Sequence, residues 1–356
     1  MVSILIEPSY AHSVWCTSVL EGLVGQLKQK RISYGLASNL EEVCRDARYA
    51  FVVGTGDPWV NSALMGCNQM GVHPILLCSQ ATHRFSCNYS SVCSDVPSST
   101  RHVIEQLRVL GSSRVALYGV NPQSIADQSR MECYLTLVEK EHQAVFFNCG
   151  SMKQCYASFM EAGDRFDAVL CANCFLAISL VRRLRRDAPE RLRRLRIIGY
   201  QEVRLTELYA DDIYTLRLNF HDYGKAAVML MDCLQKNPHL THATMAIDWD
   251  ISELEREQHG QQNRSPAALP TLPDALDAFY QDPELNEMML LESLLYESEE
   301  VDRKIIHGLV NDESYEQIAE KCFMSVSTVK YRLRKMLDLC HFRNRAELIE
   351  LLRQYV

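Results

Sequence analysis

A chain of 356 residues is too long for one small fold and predicts two domains, or one large domain with an appendage. Apolar residues at 47% and charged residues at 23% match soluble globular proteins, which excludes wholesale disorder and fibrous or collagen-like chains. The net charge of −8 belongs entirely to the first 298 residues, because 299–356 balances ten basic against ten acidic side chains and within it 321–345 is locally +6, with Asp338 its single acid.

In chain order, short apolar β-like runs alternate with amphipathic helical stretches from residue 1 to about 250. Strands are predicted at 2–6, 32–37, 50–54, 72–78, 114–119, 144–148, 167–171, 195–199 and 213–218. Such alternation implies right-handed βαβ units and parallel sheets covered on both faces. This many strands exceeds one simple dinucleotide-binding unit, so two α/β lobes are expected, with a ligand cleft at the carboxyl ends of the strands. Lobe one is placed at about 1–110 and 220–240, lobe two at about 111–219 and 241–251.

After Trp249 the pattern stops. Residues 252–283 are rich in polar side chains, with Pro266, Pro270 and Pro273 close together, which predicts a semi-extended linker. A helix follows from Pro283 through Met288, Leu291 and Leu295, so 252–297 forms a linker and connecting helix, and this helix is a candidate contact between two copies of the chain. An all-helical segment occupies 298–356.

No apolar run approaches the roughly 20 residues of a membrane span, and the start lacks a secretory pattern, so the chain is expected in the cytoplasm with no membrane partner. The fourteen cysteines are scattered without repeated spacing and are expected to be reduced and mostly buried. Cys171-Ala-Asn-Cys174 is the single C-x-x-C, and it lacks the second pair of a zinc knuckle. The eight arginines between Arg182 and Arg196 invite a nucleic-acid reading, but a solvated or subunit-contacting face of lobe two fits them better.

The tightest pattern lies in the tail. Ser314 with Gln317 forms a capping box for a short helix whose Ile318 and Ala319 face inward. Cys322-Phe-Met makes a turn, and Ser325 caps a second helix. At 100° per residue, Val326, Val329, Leu333, Met336 and Leu337 share one face, with Ser327, Tyr331, Arg334 and Asp338 opposite and Lys330 and Lys335 flanking. Hydroxyl, phenol and guanidinium groups on that face suit base edges and phosphates.

This segment resembles the LuxR-type DNA-binding domain over Glu299 to Tyr355. The likeness is carried by Asp302 to Leu309, Ile318-Ala-Glu, Ser325-Val-Ser-Thr-Val-Lys, Leu333 and Asn344-Arg-Ala-Glu-Leu. It implies that Lys330, Tyr331 and Arg334 face the major groove and that Thr328 and Lys330 lie near the backbone. Asn311-Asp-Glu stands where the family usually has a Gly before its scaffold helix.

The body is similar to the effector core of the lac-repressor and ribose-binding-protein superfamily. Leu107-Arg-Val-Leu-Gly-Ser-Ser-Arg-Val-Ala-Leu, Arg130-Met-Glu-Cys-Tyr, Asp167-Ala-Val-Leu-Cys-Ala-Asn173, Ile198-Gly-Tyr-Gln201 and the stretch Asp212 to Phe220 carry the likeness. Polar groups at strand ends converge where a small molecule can be oriented by an Arg fork and an amide. The candidate ligand residues are Tyr10, His12, Trp15, Asp57, Trp59, Arg130, Asn173, Gln201 and Phe220. Cys174 and Gln201 stand where the family has carboxylates, which turns the expectation away from sugar diols.

Together these readings predict a two-lobed periplasmic-binding-protein-like α/β core joined to an all-α helix-turn-helix domain. The corresponding function is a one-component bacterial transcription regulator that binds double-stranded DNA as a homodimer under control of a small molecule, without a cofactor or a metal. A response regulator would need an acidic pair after the first strand and a phosphoacceptor Asp after the third, whereas Glu7 stands alone and Asp57 precedes a proline. An enzyme would need a nucleophile–base pair, a phosphate loop or metal-ligand spacing, and none emerges.

Overall fold

The computed structural model describes residues 1–11, 14–54, 57–77, 85–122, 124–201, 203–255 and 282–355. The described chain gathers into two compact units. The first draws on Met1–Ser112, Ser124–Lys140 and Leu216–Asn263, the second on Ser113–Gln123, Glu141–Thr215 and Arg264–Val356. Among the described residues no helix is long and apolar enough to cross a membrane.

The chain begins β1 (Val2–Ile6), α1 (Val14–Gln29), β2 (Tyr34–Ala37), β3 (Tyr49–Val53), α2 (Asp57–Gln69), β4 (His73–Leu77), β5 (Ser90–Ser94) and α3 (Val96–Val109). It continues β6 (Val115–Val120), α4 (Ile125–Leu137), β7 (Val145–Phe147), α5 (Met152–Glu161), β8 (Ala168–Cys171), α6 (Cys174–Asp187), α7 (Pro189–Leu192), β9 (Arg196–Tyr200) and β10 (Ile213–Leu216). Then come α8 (Phe220–Lys236), β11 (Thr244–Ile247), α9 (Ser252–Glu255), α10 (Pro283–Glu297), α11 (Glu300–Val310), α12 (Tyr315–Lys321), α13 (Val326–Leu339) and α14 (Arg345–Tyr355).

The first unit is built on a sheet ordered β11-β5-β4-β3-β1-β2, parallel at every pairing. Alternate side chains serve opposite faces, as strand geometry requires. Ile4, Phe51, Val53, Ile75 and Leu77 pack under α1 and α8, while Leu5, Ala50, Val52 and Leu76 pack under α2. The two covering helices α1 and α8 touch backbone to backbone. A Cβ on Gly22 would sit 1.9 Å from the His221 carbonyl oxygen, and one on Gly224 would sit 2.1 Å from the Leu23 nitrogen. Helix α4 packs on α3 within this unit, although the sequence reading placed residues 111–219 together in lobe two.

Two strands escape the sequence reading. Ser90–Ser94 lacks apolar alternation, yet its serines are buried and satisfied. The Ser90 hydroxyl accepts the Ala243 N–H at 3.0 Å and meets His73 Nε2 at 3.0 Å, and Ser91 pairs its hydroxyl with that of Thr244 at 3.0 Å. Those bonds seat β11 beside β5, so residues 244–247 close the first sheet and do not belong to lobe two as expected.

The second unit carries a sheet ordered β10-β9-β8-β6-β7 over an aromatic core of Tyr118, Phe146, Phe159 and Phe166. The pairs Phe146–Phe159 and Tyr118–Phe159 meet edge to face at 5.4 and 5.7 Å, an arrangement favoured by the ring quadrupoles. A C-terminal helical region, α10 to α14, shares this unit's hydrophobic cluster. Met288 and Leu291, expected to contact a second copy, are instead inside the chain's own core at 0% and 1% exposure, because α10 lies on the second lobe.

Carboxylates fasten that helix. Asp282 caps it and also accepts the Met152 N–H at 2.6 Å, while Glu292 accepts the N–H groups of Arg204 and Leu205 at 2.9 and 3.0 Å. The arginine run divides: Arg185, Arg186, Arg193 and Arg194 are exposed, as a solvated face requires, while others in the run are drawn into contacts within the chain. Arg182 and Arg183 pair with Glu284 of α10, Arg185 pairs with Asp212, and Arg191 is buried with its guanidinium on the Gly163 carbonyl oxygen. The linker prolines Pro266, Pro270 and Pro273 lie outside the described residues.

Candidate functional site

In the C-terminal helical region, the Ser314 hydroxyl accepts the Gln317 N–H at 3.2 Å and the Gln317 side chain accepts the Ser314 N–H at 2.8 Å, which closes the capping box. Ile318 and Ala319 are buried, and Gly308 of α11 admits Ile318, whose Cγ1 would lie 2.7 Å from an added Cβ. The turn passes through Phe323 at φ +53°, a left-handed conformation unusual for a side chain of this size. Ser325 then caps α13 by accepting the Thr328 N–H at 3.1 Å, and its hydroxyl also meets those of Ser327 and Thr328. Val329, Leu333 and Met336 are buried, each stabilising the packed arrangement by about 1.5–3 kcal/mol.

The opposite face of α13 is open. Ser327, Thr328, Lys330, Tyr331, Arg334 and Lys335 are all exposed, Tyr331 to 71%. Among the described residues no carboxylate forms an ion pair with Lys330, Arg334 or Lys335, whereas most arginines elsewhere in this unit are paired. The Lys330 ammonium stands 5.4 Å from the Tyr315 ring centre, which places it at the side of the face toward α12. An exposed cationic stripe carrying a phenol and two hydroxyls, on a helix locked from behind, can lie along phosphates and present donors to base edges.

Arg332 was not singled out from sequence. Its guanidinium donates to both Asp302 carboxylate oxygens at 2.9 and 3.0 Å and to Glu299 at 2.9 Å. These two acids also form the capping box at the start of α11, so one side chain ties α13 to α11. The available signal was an i, i+3 acid pair facing an Arg set between the inner and outer faces of α13.

The candidate ligand residues divide between the units. In the first sheet the strand order reverses between β1 and β3, the position where open α/β sheets place ligands beyond the strands' carboxyl ends. Glu7 follows β1 and is buried, while Gly54 follows β3 and makes room for it. A Cβ on Gly54 would lie 2.8 Å from the Glu7 carboxylate and 2.7 Å from the Trp59 ring. Glu7 and Trp59 therefore both border Gly54, and the carboxylate is a strand-end group that the sequence reading did not choose. Trp15 and Phe220 meet at 6.2 Å between ring centres and are half-buried against the α1–α8 core. Tyr10 ends a short 3-10 turn and Asp57 opens α2, but both side chains lie outside the described residues, as does the whole of His12.

Arg130 is buried in α4 of the first unit and bonds Asp127 one turn earlier at 2.6 Å. Asn173 and Gln201 belong to the second unit, after β8 and β9. The Asn173 carbonyl oxygen caps α6 by accepting the Leu176 N–H at 3.1 Å, so its amide nitrogen is the atom left for other contacts. Gln201 adopts φ +64°, which turns the chain sharply at the end of β9. Cys174 does not stand in for a ligand carboxylate. It is fully buried, and its sulfur would lie 2.7 Å from a Cβ on Gly199, so the thiol fills the contact between α6 and β9. Cys171 is also buried and free, and burial pushes its thiol well above the usual range, which suits a core residue rather than a redox pair.

No protein-family model matches the chain, and no curated protein matches it. Solved structures do. A LacI-family transcriptional regulator from Enterococcus faecium with bound ribose aligns at TM-score 0.54 and 14% identity over 76% of this chain and 100% of that one. The regulator CelR in complex with cellobiose aligns at 0.54 and 14% over 70% and 82%. A LacI-family regulator CCPA from Weissella paramesenteroides with bound glucose aligns at 0.52 and 15% over 70% and 96%. These matches establish that the two parallel-sheet α/β lobes of this chain are similar in fold to LacI-family, periplasmic-binding-protein-like effector cores.

Proposed function

We propose that this protein is a ligand-responsive, one-component transcription regulator. In this reading its α/β core takes a small molecule at the strand ends, and its C-terminal helical region reads double-stranded DNA as a LuxR-type helix-turn-helix. One observation carries the DNA half: the outward face of α13 exposes Lys330, Arg334 and Lys335, which have no carboxylate partner among the described residues, beside exposed Ser327, Thr328 and Tyr331. The ligand half is supported by the fold likeness to regulators solved with ribose, cellobiose and glucose and by polar groups gathered at the strand ends. Glu7 and Trp59, both bordering Gly54, supply a carboxylate acceptor and an aromatic face, a combination suited to a polar ligand with hydroxyl or amino donors. Arg130, Asn173 and Gln201 are the further candidates.

A single helix-turn-helix makes few contacts, so DNA binding is assigned to a homodimer reading half-sites about one helical turn apart. Sedimentation showing a monomer on its selected site would remove that part.

The test is a salt titration on a DNA site selected from a random pool and on its single-base variants. Arg334→Ala should flatten preference at one base pair, with about 1–3 kcal/mol of discrimination lost. Lys330→Ala should weaken all sequences alike and lower the salt slope by about 1. Equal losses on every variant for Arg334→Ala would refute this orientation of the helix, and failure to select any site would refute the DNA reading.

A further inference from the structure

The arginine run at the end of α6 lines a cavity of about 660 Å³ within the second unit. Arg182, Arg183, Arg185 and Arg186 form one wall, and Glu284 of α10 with Tyr355 of α14 form the facing wall. The cavity thus joins the α/β lobe to the C-terminal helical region.

Its arginines draw on carboxylates both inside and outside the lining. Arg182 and Arg183 share one carboxylate, Glu284, at 3.1 and 2.5 Å. The other lining acid, Glu287, accepts the Tyr355 hydroxyl at 2.9 Å. Arg185 and Arg186 are held by Asp212 and Asp187, neither of which lines the cavity, and their side chains are 48% and 69% exposed. Exposed pairs of this kind contribute little, so a better anion can displace them. The lining itself holds four guanidiniums and two carboxylates, and Asp187 and Asp212 at its edge complete the balance through exposed pairs, so an incoming anion binds by displacing those two carboxylates. The Arg182 guanidinium lies 4.0 Å from the Tyr355 ring centre and that of Arg185 lies 5.1 Å from Tyr209, so ring faces hold the forks in place from behind.

We propose that this cavity binds a phosphate-bearing small molecule, at a site separate from the strand-end residues and independent of the function assigned above. Planar guanidinium forks match phosphate oxygens bidentately, and a phosphate dianion can take the place that the Asp187 and Asp212 carboxylates hold on Arg186 and Arg185. The volume exceeds that of one phosphate and lies in the range of small-molecule sites, which leaves room for a phosphate ester or diphosphate. Because one wall is α6 and the other is α10 and α14, an occupant stabilises the docked helical region.

The experiment is calorimetric titration of the full chain with pyrophosphate at constant ionic strength, with thermal melts alongside. Wild type should show saturable binding at one site and a raised melting midpoint. Arg185→Gln with Arg186→Gln should weaken binding at least tenfold while leaving the melt without pyrophosphate unchanged. Should that pair unfold the chain, Arg186→Gln alone carries the test with at least a threefold loss, since its guanidinium bonds the neighbouring Asp187. Arg193→Gln is the control, because Arg193 pairs with Glu190 outside the cavity and should leave binding intact. Absence of saturable binding in wild type, full affinity in the arginine variants, or an equal loss in Arg193→Gln would overturn the proposal.

Discussion

Replacing Gly224 by Ala sets two effects of known size against each other. Within a helix, Ala is favoured over Gly by about 1 kcal/mol, because Gly loses more backbone entropy on folding. Against that gain stands geometry: the new Cβ would lie 2.1 Å from the Leu23 nitrogen and 2.2 Å from the Val19 carbonyl oxygen. Both are backbone atoms of α1 and cannot rotate away, so α1 and α8 would have to part by roughly 1 Å before the contact becomes tolerable. A gap of that size forfeits about a quarter to a half of each dispersion contact along the seam. Overpacking of this kind costs about 1–3 kcal/mol, and the upper end applies where backbone meets backbone.

The net expectation for Gly224→Ala is therefore a loss of about 2 kcal/mol. Gly25→Ala provides the internal comparison. Gly25 lies on the same α1 with nothing within 4 Å of its absent Cβ, so only the propensity gain remains and stability should rise by about 0.5–1 kcal/mol. Urea unfolding followed by circular dichroism gives both numbers from midpoints at equal slope. If Gly224→Ala is as stable as wild type, or if the two variants shift in the same direction, backbone contact between α1 and α8 does not set the cost at Gly224.

Other outcomes follow from single contacts. Arg332→Ala should cost about 1 kcal/mol of stability and weaken DNA binding on all sequences, with Arg332→Lys restoring part of both; an unchanged affinity would remove its positioning role. Burial, the largest influence on Glu292, raises its carboxyl above the ordinary glutamate range. The folded chain therefore keeps a proton that the unfolded chain has released between those two values, and this contribution to stability is lost as pH rises through the raised one. Urea midpoints measured across that window should fall for wild type relative to Glu292→Gln, and parallel curves would refute the assignment. Arg130→Ala should abolish a ligand-dependent thermal shift once a ligand is found by screening; retained affinity would free Arg130 of any ligand role.

Much of the architecture was legible because period and polarity report directly on local structure. The run Val2-Ser-Ile-Leu-Ile is a strand in sequence and in space, and the capping pairs at Ser314 and Ser325 start α12 and α13 where the pattern put them. The outward face of α13 was legible for the same reason, since 100° geometry needs no knowledge of the rest of the fold. Tertiary structure decided whatever depends on partners distant in sequence. Ser90–Ser94 is a strand because Thr244, Ala243 and His73 satisfy its hydroxyls, and no local pattern foretells those bonds. Met288 and Leu291 form an apolar stripe that fits another copy as well as the chain's own core, and only the carboxylate bonds of Asp282 and Glu292 show which surface covers it. Cys174 read as a lost ligand group until Gly199 placed its thiol inside the sheet contact. Secondary structure follows from short-range sterics and hydrogen bonds, whereas the meaning of a buried polar or cysteine side chain is set by what the fold brings against it.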